Sequence, residues 1–194
     1  MIIVHMKRYY KYILIIVVIM SAVGAIEYYS GRSFLGPDGM FGLWEGNIYS
    51  NEQSQRVFDP YSLTHILHGF GFYALLWLLV RKLPVRYRLV GAVILEGLWE
   101  LLENSSFIIN RYRAETIAIG YVGDSILNSL SDIVMMVTGF ILAWRLKVWQ
   151  TIVIFFAIET VLLFWIRDNL ILNIIMLVYP VDAIKDWQSV LFNK

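Results

Sequence analysis

Apolar stretches of bilayer-spanning length recur along this chain and constrain its fold more than any other feature. A spanning helix needs roughly 20 mostly apolar residues. Five segments reach or approach that length, at about 12–29, 62–80, 89–109, 124–144 and 148–166. Of the 194 residues 59% are apolar and 16% charged, against about 45–50% and about 25% in soluble domains. That excess excludes a disordered tail, a nucleic-acid-binding domain and an ordinary cytosolic enzyme. The expected fold is all-α: a polytopic membrane helix bundle, one integral membrane domain over residues 1–194. Five spanning helices are expected, plus a short C-terminal re-entrant or interfacial segment. That segment, Leu170–Tyr179, is too short to span and stops at Pro180, which does not continue a helix. Residues 30–61 form the one sizeable loop.

Orientation follows from the basic residues, which favour the cytoplasmic side. Lys7, Arg8 and Lys11 lie at the N-terminus. Arg81, Lys82, Arg86 and Arg88 follow the second segment, and Arg145 and Lys147 the fourth. None of these stretches contains an acid, and five crossings put all three on one face. The reading is a multi-pass membrane protein with its N-terminus in the cytoplasm and its C-terminus on the outer side, which is the periplasm if the membrane is the bacterial inner membrane that the resemblance below implies. Small residues at Ala22, Gly24 and Ala25 also fit a signal-peptide cleavage site, but retention of the first helix suits the topology better. Trp44, Trp77, Trp144, Trp149 and Trp165 read as interface anchors. Net charge is +1 and there is no cysteine, which excludes disulfides, thiolate metal sites and thiol nucleophiles.

Ionisable residues inside the spans are costly and therefore face protein or water. His65 and His68 share a face of the second helix at i, i+3. On the third, Glu96, Glu100 and Glu103 fall on one arc at i, i+4, i+7, with Asn104 at its edge. On the fourth, Asp124, Asn128, Ser131 and Asp132 repeat the pattern. At about 1.5 Å per residue these groups lie at overlapping depths, roughly 4–14 Å below the outer helix ends. One outward-opening polar cavity is the economical arrangement. Asp59 stands just above the histidines, and Arg111 and Arg113 on the outer loop. Glu159 lies inside the fifth segment, whose outer end carries Arg167. Asp124 reads equally as a helix N-cap.

The candidate catalytic residues are therefore His65, His68, Glu100, Glu103, Asp124 and Asp132, with His68 and Glu103 the leading acid–base pair. The candidate substrate-binding residues are Asp59, Asn104, Arg111, Arg113, Asn128 and Arg167. Arginines at the cavity mouth suit a phosphate or carboxylate, so the expected ligand joins an anionic headgroup to an apolar tail. Imidazole and carboxylate could together hold a divalent metal, but no specific ligand spacing occurs and no metal or cofactor is assigned. No phosphate loop, dinucleotide fingerprint or nucleophile elbow is present, and neither nucleotide nor nucleic acid is an expected partner.

Several motifs carry a resemblance. They are Asp59-Pro60-Tyr61-Ser62-Leu63-Thr64-His65-Ile66-Leu67-His68-Gly69, Trp99-Glu100-Leu101-Leu102-Glu103-Asn104-Ser105, Arg111-Tyr112-Arg113, Gly123-Asp124-Ser125-Ile126-Leu127-Asn128-Ser129 and Arg167-Asp168-Asn169. Through them the chain after about Gly31 resembles an uncharacterised family of proteobacterial inner-membrane proteins. The resemblance implies a bacterial integral membrane protein and no particular reaction. Many members have Cys-x-Cys-Gly where this chain reads Leu35-Gly36-Pro37-Asp38-Gly39, so no thiol role there is general. Members often have Asp-Trp-Tyr at Asp59-Pro60-Tyr61. A more distant likeness is to VanZ-like membrane proteins, in the order His68, Glu103, Arg113, Asp124-x-x-x-Asn128, with Ser131 where a glycine is expected. It places the chain near envelope lipid or peptidoglycan biology. The leading reading is a membrane protein whose outward polar site binds, and is equipped to modify, an envelope lipid or lipid-linked intermediate. The alternatives are a small transporter or proton-linked carrier, and a structural or assembly partner with a polar core.

Overall fold

The computed structural model describes residues 2–118 and 120–189, with side chains from Tyr10 onward. The side chains of Lys7 and Arg8 and the tail residues 190–194 lie outside that description. Among the described residues the chain forms eight helices: α1 (Ile2–Tyr29), α2 (Ser62–Val80), α3 (Val85–Glu103), α4 (Ser106–Glu115), α5 (Ile126–Arg145), α6 (Val148–Ile166), α7 (Leu170–Val178) and α8 (Asp182–Ser189). Four are long and apolar enough to cross a membrane: Tyr10–Tyr29 of α1, then α2, α5 and α6. Helix α3 equals α2 in length at 19 residues, but Arg86, Arg88 and its three glutamates leave it less apolar than those four.

Two expected spans have different ends. The segment expected over 89–109 breaks after Glu103 and restarts at Ser106. Ser105 is extended and its hydroxyl accepts the Ile108 N–H, an N-cap that opens α4 in a new direction. The segment expected from residue 124 starts at Ile126, because Ser125, not Asp124, caps it by accepting the Asn128 N–H at 3.2 Å. That releases the Asp124 carboxylate for other partners. Helix α8 was not anticipated. It folds back so that Gln188 Nε2 donates to the Arg167 carbonyl at 3.0 Å and to Asp168 Oδ1 at 3.1 Å.

Helices α2 and α5 form the most extensive pair because both lack a side chain where they cross. A methyl group at Gly69 would lie 2.8 Å from the Gly139 carbonyl carbon, and one at Gly139 would lie 2.8 Å from that of Ile66. Small residues at a crossing let two backbones meet and gain dispersion contact where lipid offers no hydrophobic drive between helices. Helix α3 lies against α1, α2 and α5, and Val23, Ala92, Val93, Ile133, Met136 and Phe140 form the central core. Outward, α6 displays Val148, Phe156 and Phe164, the last 81% exposed. Such an apolar surface suits hydrocarbon and would be a liability in water.

The turn after α6 is set by Arg167 in the left-handed region, φ 53°, which ends the helix. Glu159 then reaches the start of α7. Its carboxylate accepts the N–H groups of Leu170 at 2.9 Å and Ile171 at 3.2 Å, two donors that a helix start leaves free. The long loop also covers the start of α5, but there its carbonyls accept from side chains of the helix. Asn128 Nδ2 donates to the Arg56 carbonyl at 2.9 Å, and the Ser131 hydroxyl to that of Val57. Trp44 of this loop stacks on Trp165, ring centroids 5.9 Å apart.

Candidate functional site

The starts of α2 and α5 and the end of α3 meet at one end of the bundle. Helices α4 and α7 and the segments around residues 53–61, 116–118 and 120–124 cover that end. They enclose a cavity of about 480 Å³. Of the residues singled out in the sequence, Asp59, His65, His68, Glu103, Asp124, Asn128 and Asp132 line it. Glu100 does not; it lies behind His65, with Oε1 3.5 Å from Nδ1. Asn104 stands one step back. Its amide donates to Asp124 Oδ2 and Ser129 Oγ and accepts the Asp124 N–H at 2.7 Å.

The three arginines are elsewhere. Arg111 donates through Nε to the Leu177 carbonyl at 3.0 Å and pairs loosely with Glu115. Arg113 donates to the Tyr121 carbonyl. Arg167 donates to the Trp187 carbonyl at 2.8 Å and lies over the indole of Trp187. None lines the cavity, and no Lys or Arg does among the described residues. The expectation that these guanidiniums clamp an anionic headgroup is corrected. Each is engaged with a backbone carbonyl that local helix bonding leaves unsatisfied.

The histidines converge on Glu96, which belongs to the acidic arc but is not among the candidate site residues of the sequence. His65 Nδ1 lies 2.6 Å from Glu96 Oε1, and His68 Nδ1 lies 3.1 Å from Oε2. The pairing of His68 with Glu103 is therefore replaced by His68 with Glu96. Glu103 hydrogen-bonds instead with Tyr112 and Trp99. On its other side His65 Nε2 is 3.8 Å from Asp132 Oδ2. Both oxygens of the wholly buried Glu100, and Asp132 Oδ1, have no hydrogen-bond partner among the described residues. Phe72 and Trp99 pack against the His68 ring, each with ring centroids 5.9 Å away.

The rim combines polar anchors with tyrosines. Asp59 accepts from the N–H groups of Ser54, Tyr61 and Ser62, and burial still raises its pKa. Asp168 accepts the Asn169 N–H, the Tyr61 hydroxyl, and the side-chain amides of Asn173 and Gln188. Burial outweighs these bonds and pushes it up to about 6. Asp124 accepts from the Tyr121 hydroxyl at 2.9 Å. Neither Asp168 nor the tyrosines are among the candidate site residues of the sequence, although the Arg167-Asp168-Asn169 run marks a polar interruption there. The opposite wall is apolar: Phe72, Leu95, Leu98, Leu102 and Ile174. Leu98, Leu102 and Ile174 are also exposed on the outside of the bundle.

Fold and site together define an all-helical protein with membrane-compatible helices, built around an acidic, histidine-bearing cavity. The chain belongs to a family described as a protein of unknown function, DUF2585, whose pattern matches residues 27–190. Similar proteins are the UPF0314 proteins of several proteobacteria. The one from Sphingopyxis alaskensis is 46% identical over 176 residues, 91% of this chain and 94% of that protein. The one from Paracoccus denitrificans is 43% identical, covering 91% and 90%. The one from Agrobacterium fabrum is 49% identical over 166 residues, covering 86% and 84%. No solved structure matches the chain. The likeness to VanZ-like proteins draws no support from these relatives.

Proposed function

We propose that the cavity binds the headgroup of an envelope lipid or lipid-linked intermediate in a bacterial inner membrane, and that the protein acts on it there. One observation carries this reading. The cavity has a floor of histidine and carboxylate and a wall of leucines and Ile174 whose other faces look outward. An amphiphile is the ligand that satisfies both surfaces: its polar end takes the floor and its chain leaves past Leu98 and Ile174. His68 and Glu103 supply an imidazole and a carboxyl to the same space. Helix α3 is taken as a fifth span, its acids shielded by α1, α2 and α5, and α7 as a short re-entrant or interfacial cover over the cavity. The acid-free basic stretches support an N-terminus in the cytoplasm and a cavity that faces the periplasm.

The test is lipid retention. The purified chain is expected to carry a lipid, identified by mass spectrometry, that Ala118→Trp excludes by filling the cavity from its rim. Equal lipid content in both proteins refutes the reading. Lipidomics of a deletion strain then names the headgroup, through the species that accumulates and falls again on complementation.

A further inference from the structure

We propose that His65, His68, Glu96 and Glu100 form a divalent metal site at the floor of the cavity, of zinc-binding type. The two histidines come from one face of α2 and the two glutamates from one face of α3. Their donor atoms are already gathered, with separations of 2.6, 3.1 and 3.5 Å along the series His65–Glu96, His68–Glu96 and His65–Glu100. The nearest atoms of His65, His68 and Glu96 all lie within 4.8 Å of one another, and so do those of His65, Glu100 and Glu103. Donors held about 2.1 Å from a tetrahedral zinc are about 3.4 Å apart, so small rotations of these side chains complete the set.

Hydrogen bonding accounts for Glu96 and leaves Glu100 unexplained. Glu100 is wholly buried, and among the described residues neither of its oxygens has a hydrogen-bond partner; its one charged neighbour within ion-pair reach is His65. Protonation does not repair this, because a carboxylic acid still needs an acceptor for its O–H and a donor for its carbonyl. Buried polar groups without partners are rare and call for a missing ion or water. A cation between Glu100 and the histidines supplies that partner. Asp132 fits the same scheme, since its Oδ2 lies 3.8 Å from His65 Nε2. Metal-bound imidazoles characteristically donate their second N–H to a carboxylate that fixes the ring. Two imidazole nitrogens with two carboxylate oxygens suit zinc, and also manganese or iron. The ligand pairs, at i, i+3 on α2 and i, i+4 on α3, match no single-helix metal motif, which is why the sequence alone shows none. Because His68 lines the cavity, a further coordination position faces the bound ligand. Where the lipid reading holds, the metal also supplies the positive charge for an anionic headgroup that the cavity's own lining lacks. The site itself does not depend on that reading.

The test uses the full chain in detergent, stripped with a chelator and then given Zn²⁺, without added lipid. Elemental analysis is expected to return one zinc per chain, and Co²⁺ in its place the visible absorption of a four-coordinate site. Competition with a chromogenic chelator should show affinity falling at least ~100-fold for His68→Ala and about 10–100-fold for Asp132→Asn. Glu100→Gln removes a ligand but no hydrogen bond. It is expected to keep the metal-free Tm and to lose the rise in Tm that Zn²⁺ gives the wild type. The proposal is overturned if the wild type retains less than one zinc per chain, or if His68→Ala and Glu100→Gln bind zinc as the wild type does. Zinc is measured without lipid, and lipid retention can be measured on zinc-free protein, so the two readings fail separately.

Discussion

Gly139→Ala tests the argument that the α2–α5 crossing sets the site. The added methyl would lie 2.8 Å from the Ile66 carbonyl carbon, 3.0 Å from its Cα and closer still to its oxygen. Ordinary contact begins at 3.4 Å, so the helices must part by at least about 0.6 Å (3.4 less 2.8). The obstructing atoms are backbone and cannot swing aside. Overpacking of this kind costs about 1–3 kcal/mol, and a backbone obstacle belongs at the upper end. For a chain of this size that lowers the Tm by roughly 5–10 °C. His65 adjoins the point of contact and Asp132 lies two turns from Gly139, so their 3.8 Å separation widens beyond ion-pair reach. Gly71→Ala is the control. It lies in α2 with nothing within 4 Å of its added methyl, and loss of glycine freedom favours the helix by about 0.5–1 kcal/mol. The assay is thermal unfolding of both variants in the same detergent. If Gly139→Ala melts with Gly71→Ala, the close crossing does not hold the bundle as described.

Three further outcomes are expected. Asn104→Ala strips the Asp124 N–H and carboxylate and Ser129 of a shared partner, which should cost about 2 kcal/mol in chemical or thermal unfolding; an unchanged midpoint contradicts the bridging role. Asp168 titrates at about 6 against the ordinary 3.8, so the stability it carries is complete below pH 3.8 and lost as pH rises through 6. Comparing the Tm–pH profile of the wild type with that of Asp168→Asn should show a difference of about 3 kcal/mol developing over that window, and parallel profiles would remove the claim. Single cysteines at Asn47 and Lys82 should label from opposite sides of the membrane in intact cells. Labelling of Lys82→Cys by an impermeant reagent with Asn47→Cys protected reverses the proposed orientation.

The helical class and the shared depth of the polar residues were legible in the chain itself. Apolar runs near 20 residues leave few folds, and a 3.6-residue period puts Glu96, Glu100 and Glu103 on one arc whatever they face. The period does not say which member of the arc meets a partner. That depends on how α2 and α3 slide against each other, and the glycine crossing of α2 with α5 is one of the contacts that seats α2. The outcome was Glu96 with both histidines, Glu103 with Tyr112 and Trp99, and Glu100 behind His65 without a hydrogen bond among the described residues. The helix break at Asn104–Ser105 was likewise hidden, because Asn104 leaves the helical pattern for the backbone of Asp124, twenty residues on. The arginines show the same limit. Their charge and position suggested an anion clamp, but a guanidinium also donates to any backbone carbonyl that folds within its reach. Only the way α7 and α8 fold back decided that Arg111 and Arg167 would find the Leu177 and Trp187 carbonyls. Local periodicity is a property of the chain; the partner of a buried polar group is a property of whatever distant backbone folds against it.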